Sequence, residues 1–204
     1  MQGLLKVSGK DAEKFLQGQL TCNIPDAMKE PFLIGAHCNR EGRVLSLFFL
    51  YAIHSDFYLL MPKEMVDITL NALKKYVVFF KVQLTNVSDL LCLTDKKYQL
   101  NKNDFIENNI PIIYPETSGK FLPHDINLHH LGGIHFDKGC YTGQEIIARM
   151  HYRGKLKTHL HKVTIQTNTA LKPGDIVHKD DTVVDSYMKT PEDCVALIIT
   201  QRDI

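Results

Sequence analysis

The chain has 204 residues, 44% hydrophobic and 23% charged, an ordinary globular composition with enough apolar side chains for a core and room for one large domain or a main domain plus a small one. A net charge of +1 excludes a global field that would recruit nucleic acid or a membrane surface. The five cysteines, Cys22, Cys38, Cys92, Cys140 and Cys194, form no CxxC pair, which argues against a disulfide framework or a closed zinc site and for isolated thiols of a reducing compartment, most simply the cytoplasm.

In chain order, residues 1–10 lack the apolar run of a signal peptide and the arginine-rich pattern of a transit peptide. Residues 4–7 read as a short strand. Residues 10–20 read as a helix, with Ser8 as cap and Ala12, Phe15, Leu16 and Leu20 on one face. Residues 31–38 and 43–53 read as strands joined by the tight turn Asn39-Arg40-Glu41-Gly42, hence a hairpin. The apolar run 44–53 is about half the length needed to cross a bilayer. Residues 57–61 read as a strand, and a helix starts at Pro62, with Met65, Ile68, Leu73 and Tyr76 at helical spacing. Residues 77–87 return to strand, alternating at Val78, Phe80, Val82 and Leu84, and 90–93 are a weaker strand candidate. From 98 to 131 the frequent Asn, Pro and Gly predict loop with short helical turns. Beyond Lys157, short strands at 160–165, 176–177, 183–188 and 195–200 are separated by turn residues, which predicts a small β unit on an α+β body.

The most informative stretch is Lys138-Gly139-Cys140-Tyr141-Thr142-Gly143-Gln144-Glu145, running into Ile146-Ile147-Ala148-Arg149-Met150. Thr142 and Glu145 have capping-box spacing, so a helix should begin near Gly143. Cys140 then lies just outside a helix N-terminus, two residues from Lys138, and both would favour the thiolate. Gly139 would let the backbone approach a ligand or adopt positive φ. A lone cysteine in a turn is more often a small hydrophobe. The window 138–162 holds six Lys or Arg (138, 149, 153, 155, 157, 162) against the single acid Glu145. It reads either as a solvated face or as a site for an anionic ligand tail or acidic partner. Its histidines, His151, His159 and His161, have no carboxylate at helical spacing, so no metal site is expected. Glu107, flanked by apolar residues, is either an exposed loop acid or a carboxylate able to accept two parallel hydrogen bonds from a pterin edge.

The run Lys138–Glu145, continued by Ala148-Arg149 and Tyr152-Arg153-Gly154, resembles the signature of the YgfZ-type folate-binding proteins. Supporting segments stand in the family's order: Phe15-Leu16-Gln17-Gly18-Gln19-Leu20-Thr21, the hairpin 39–44, the block 73–82, Ile106-Glu107 with Ile110-Pro111, Phe121-Leu122-Pro123, Asn127-Leu128 and Leu131-Gly132-Gly133-Ile134. The resemblance implies an α+β fold. Its body, residues 1–157, would be T-protein-like and folate-binding, a ferredoxin-like antiparallel sheet with helices; residues 158–204 would form a small C-terminal β-barrel-like unit. It also implies a role in iron–sulfur cluster assembly or repair in client enzymes, tRNA-modifying radical enzymes included. The implied cofactor is tetrahydrofolate or another reduced folate. The implied partners are iron–sulfur client or assembly proteins, with neither direct nucleic-acid binding nor a membrane. By position, Cys140 and Lys138 would carry the activity. Glu107 would read the pterin edge, and Asn39, Arg43, Gly139, Tyr141, Gln144, Arg149 and Arg153 would contact the folate.

Two departures are expected to matter. The family has some seventy residues where this chain has about a dozen, between 94 and 105, so one lobe is absent and one side of the folate pocket opens. The places of the T-protein's acid pair hold Ser46 and Leu47, and no acid occurs between Glu41 and Asp56. An aminomethyltransferase-like folate enzyme is therefore the alternative that lacks its general acid–base group. A non-catalytic interaction module derived from the fold is the other alternative.

Overall fold

The computed structural model describes residues 2–93 and 101–202, the side chains of 91–93 excepted. Cys92 and most of the shortened segment 94–105 lie outside the described side chains.

Two antiparallel sheets make the frame. The first joins β1 (Gln2–Ser8), β2 (Leu33–Cys38), β3 (Val44–Ile53), β4 (Asp56–Pro62) and β5 (Gln83–Asn86) in the order β2-β3-β4-β1-β5. The expected hairpin is present: Arg43 N–H bonds the Asn39 side-chain oxygen at 2.7 Å, and Gly42 turns at φ 73°. The second sheet joins β6 (His159–Gln166), β7 (Ile176–Val177), β8 (Asp181–Met188) and β9 (Asp193–Thr200) in the order β6-β9-β8-β7.

Helix α1 (Ala12–Gln17) buries Ala12, Phe15 and Leu16, at i, i+3 and i+4. It is shorter than the sequence suggests, and Asp11 stands at its N-cap rather than Ser8. Helix α2 (Lys63–Lys74) follows Pro62 and buries Met65, Val66, Thr69 and Leu73. Helix α3 is Lys102–Glu107 and α4 is Gln144–Arg153. One core cluster runs from Leu5, Phe15 and Phe48 through Ile147 to Val184, Leu197 and Ile199, so both sheets share it. Each fully buried side chain of that size contributes about 2–3 kcal/mol. A second cluster, with Leu4, Phe49, Leu60, Phe105 and Ile112, lies between the first sheet and α3.

Two strand expectations fail. Residues Val77–Phe79 form a 3-10 turn, with Val78 78% and Phe79 89% exposed, and only Gln83–Asn86 pairs in the sheet. Alternation of branched and aromatic residues looks like a strand, but pairing is set by the register of β1, which ends at Ser8↔Gln83. Residues Ser88–Leu93 form a second 3-10 turn rather than a strand.

In β8 the register slips between Val183 and Asp185. Val183 faces Ile198 and Asp185 faces Leu197, so Val184 is the extra residue of a bulge. The bulge brings two successive side chains toward the shared interior. Val184 enters the main core, and Asp185 is buried beside it at 0% exposure.

Three histidines are held neutral by burial. His37 and His124 are 1% and 2% exposed, with no hydrogen-bond partner on any ring nitrogen among the described residues. Burial first, then the Lys75 charge, pushes His37 down to about 4. Burial first, then neighbouring His151 and His130, pushes His124 down to about 4, and His129 falls similarly through burial and His130. The His124 and His129 rings lie 4.9 Å apart. All three folded values sit below the ordinary 6.5, so the unfolded chain binds more protons between pH 6.5 and 4. Stability is therefore expected to fall as pH drops through that window. Urea midpoints at pH 7, 5.5 and 4.5 check this; a constant or rising midpoint contradicts it.

Candidate functional site

The segment from Lys138 to Gly143 is a turn fastened on all sides. The Lys138 ammonium points inward and donates to the carbonyls of Leu20 and Cys22 at 2.7 and 2.6 Å. It also lies 5.1 Å from the centre of the Tyr141 ring. Burial lowers its pKa to about 8, against which the nearby Cys22 acts. Tyr141 is 7% exposed, and burial raises its hydroxyl. Thr142 donates from its hydroxyl to the Gln19 side chain at 3.2 Å and from its backbone to Gly18. Gly143 caps α4 at φ 83°, and a Cβ there would stand 2.5 Å from the Asn39 carbonyl oxygen.

Helix α4 thus begins where the sequence indicates, but by another device. Thr142 makes no capping bond; instead the Gln144 side chain accepts from the Tyr141 backbone at 3.2 Å. Ile147 enters the core and Ile146 packs on Gly42, so the hairpin turn and the helix start brace each other. Asn39 lies in this brace. Arg43 leaves it and donates to the Lys120 carbonyl.

Gly139 and Cys140 are the exception. Both are exposed, and nothing lies within 4 Å of where a Cβ on Gly139 would stand. Gly139 has no positive φ, so the backbone reason for a glycine anticipated from the sequence is absent. Cys22, Cys38 and Cys194 are buried, leaving Cys140 as the exposed thiol among the described cysteines. Burial pushes the Cys22 thiol to about 11 and raises Cys38 as well. Lys138 therefore carries Cys140 outward by anchoring the turn, with its own charge directed into the body.

Two further clefts open on the surface among the described residues. One, of about 290 Å³, has apolar walls from Leu47, Phe49, Leu60, Phe105 and Ile112. The Phe49 and Phe105 rings stack at 5.2 Å and 16°. Leu47 occupies the position where the T-protein pattern would set an acid. The polar groups of this cleft are Gln2, Glu64, Lys102 and Tyr114. Lys102 is ion-paired at 2.6 Å to the Asp185 carboxylate delivered by the β8 bulge, and Tyr114 donates to the other Asp185 oxygen at 3.0 Å. Desolvation raises the Asp185 pKa, opposed by Lys102. Nothing in the sequence marks Asp185, because the bulge that aims it inward breaks the strand's alternation.

Glu107 ends α3 but turns away from this cleft. Its carboxylate pairs with Lys162 at 2.9 Å and accepts from the Tyr187 hydroxyl, so it fastens α3 to the second sheet. Those two groups, Tyr187 first, hold it below the usual carboxylate range.

The other cleft, of about 540 Å³, is basic, with Arg43, Lys120, Lys155, Lys157 and Lys179 on its walls. The basic run read from the sequence divides here. Lys155 and Lys157 line this cleft, Arg149 pairs with Glu145 on the exposed face of α4, and Lys162 serves Glu107. Arg153 is exposed and lines neither cleft. Among the described residues no group of His, Cys, Asp and Glu is arranged to hold a metal ion, and no helix is long and apolar enough to cross a membrane.

No family model matches the chain. It is similar to the tRNA-modifying protein YgfZ of Photobacterium profundum, 28% identical over 269 residues that cover 99% of this chain and 82% of the relative. It is 30% identical to the protein of the same name from Klebsiella pneumoniae, over 77% of this chain and 67% of the relative. An uncharacterized protein of Haemophilus influenzae is 32% identical over 84% of this chain and 74% of its own length. Among solved structures, the aminomethyltransferase T of the glycine cleavage system from Bartonella henselae superposes with a TM-score of 0.71, covering 98% of this chain and 76% of that one at 12% identity. The fold is therefore T-protein-like. The Photobacterium match spans 269 positions against a chain of 204, so at least about 65 positions of that relative have no counterpart here.

Proposed function

We propose, on the premise that the chain belongs to the YgfZ family, that it binds a reduced folate in the apolar cleft and supports iron–sulfur cluster assembly or repair in client enzymes, tRNA-modifying ones included. One observation carries the reading: Gly139 and Cys140 stand free at the tip of a turn whose other residues are anchored. A thiol needed only for packing would be buried, as Cys22, Cys38 and Cys194 are. One thiolate cannot hold an iron–sulfur cluster alone. Cys140 therefore acts transiently, as a ligand or nucleophile shared with a client, and Gly139 leaves space for that client to approach.

The cleft suits the bicyclic head of a folate. Its walls are flat and apolar, it carries a few polar groups, and its volume lies at the small end for ligand sites. A bound folate would supply one-carbon chemistry. What the chain contributes is orientation by the Phe49–Phe105 wall and exclusion of water by Leu47, Leu60 and Ile112. With Leu47 at the position of the missing acid, the protein alone is not expected to transfer aminomethyl groups.

Cys140→Ala tests the reading. The side chain is exposed, so stability should change by less than about 0.5 kcal/mol. Rescue of iron–sulfur enzyme activity in cells lacking the protein should be lost, while Ser replacements at Cys22, Cys38 or Cys194 retain rescue if they fold. Full rescue by Cys140→Ala would reduce the motif to a structural turn.

A further inference from the structure

The block from Leu73 to Val82 stands outside the site described above. Its 3-10 turn, Val77–Phe79, is anchored at both ends. Val77 and Phe80 pack against the main core, with the Phe80 ring edge-on to Phe15 at 5.4 Å. Between them, Val78 and Phe79 project outward as the two most exposed large hydrophobics among the described residues. Single exposed hydrophobics are normal, but two in succession on an anchored turn form a presented patch.

This patch borders the Cys140 turn. One open hollow has Arg40 and Tyr76 in its walls together with the run Tyr141–Glu145. Tyr76 immediately precedes the 3-10 turn, and Tyr141 immediately follows Cys140. Helix α1 ties the two together: its Phe15 packs on Phe80, and the Gly18 carbonyl at its end accepts the Thr142 N–H. The surroundings of the patch are cationic. No Asp or Glu occurs from 68 to 88, while Lys74, Lys75 and Lys81 are all exposed without an ion pair among the described residues. Two bordering acids are engaged: Asp11 accepts the Lys81 backbone N–H at 2.8 Å, and Glu145 pairs with Arg149.

We propose that this turn is the docking surface for the client protein of Cys140, and that it takes a client segment in which an apolar side chain is flanked by Asp or Glu. Aromatic side chains anchor the cores of protein interfaces, and complementary charges around them guide encounter and register. A lone exposed thiol has no such means of choosing a partner, so recognition has to come from groups beside it. The hollow is concave and can seat a side chain, which a flat bilayer surface does not supply. The proposal rests on the reading of Cys140 given above.

The experiment is rescue of iron–sulfur enzyme activity in cells lacking the protein. It compares wild type, Cys140→Ala, Phe79→Ser, a charge-reversed pair (Lys74→Glu with Lys75→Glu) and a charge-keeping pair (Lys74→Arg with Lys75→Arg). Ile176→Ser, which removes an exposed hydrophobic from the second sheet, is the control. Phe79→Ser should melt like wild type, since the ring is exposed, and its Cys140 should react with iodoacetamide at the wild-type rate. Its rescue should nevertheless fall to about a tenth or less, the scale of losing an interface anchor. The charge-reversed pair should lose rescue similarly, while the charge-keeping pair and Ile176→Ser retain it. If Cys140→Ala fails but Phe79→Ser and the charge-reversed pair rescue fully, the docking surface is wrong and the Cys140 reading stands. If Cys140→Ala rescues fully, that reading fails and the docking surface with it. Sedimentation of the purified protein with phosphatidylglycerol vesicles decides against a membrane: co-sedimentation that Phe79→Ser abolishes would make the turn a lipid contact and overturn the proposal.

Discussion

Gly143→Ala is expected to destabilise the protein by about 3 kcal/mol or more, while Gly139→Ala, four residues earlier in the same motif, should change stability by less than about 0.5 kcal/mol. At Gly143 two costs add. The backbone sits at φ 83°, where an L side chain is strained, and the new Cβ would stand 2.5 Å from the Asn39 carbonyl oxygen and 3.1 Å from the Gly42 Cα. Both neighbours are backbone atoms in a closed turn, so neither can swing aside. At Gly139 the φ is ordinary and the space is open. Chemical denaturation of the two variants separates them. A Gly139 variant with a bulky side chain, such as Gly139→Phe, extends the test: it should melt like wild type yet fail to rescue, because it fills the approach to Cys140. Equal stability losses at the two glycines would contradict this account of the turn.

Lys102→Met should cost about 2–4 kcal/mol at pH 7, a large effect for a half-exposed lysine. The reason lies with its partner. Asp185 has a side chain only 1% exposed, and desolvation already raises its pKa against the pull of Lys102. Without the ammonium the carboxylate stays buried with Tyr114 and the Ser186 backbone N–H as its donors. Its folded-state pKa then rises further above the unfolded value. A raised acid binds protons in the folded state before the unfolded chain does, so the variant regains stability as pH falls through the raised value. The gap between variant and wild type should therefore narrow between neutral and acid pH, superimposed on the histidine-driven loss common to both. Urea midpoints of both proteins at several pH values measure it. A gap that is constant with pH would mean that Lys102 contributes only packing.

How far the sequence could be read differs from element to element for physical reasons. The hairpin at Asn39–Gly42, the start of α4 and the four strands after Lys157 were visible because local turn chemistry and side-chain period determine them. The capping role of Thr142 was not, since its hydroxyl bonds Gln19, 123 residues away along the chain. Lys138 looked like a neighbour for Cys140 at two residues' spacing, but spacing does not give direction, and the ammonium follows the free carbonyls of Leu20 and Cys22. Glu107 was visible as an acid among apolar residues; that Lys162 and Tyr187 would claim it depends on how the second sheet lies against α3. Val78 and Phe79 read as strand because composition alone cannot show that β1 runs out of residues to pair with them.

The position of β1 also bears on the order in which the molecule assembles. This strand is not an edge: it pairs with β4 at Gln2↔Pro62 and with β5 at Leu5↔Asn86. Both partners come from much later in the chain, whereas β2, β3 and β4 follow one another through short turns. Loop closure is cheaper for the local meander, so β2-β3-β4 should form early and β1 should insert late, only after residue 86 is available. Pulse-labelled hydrogen exchange during refolding should then protect amides of β3 and β4 before those of β1; the reverse order would place the nucleus at the long-range pairing instead.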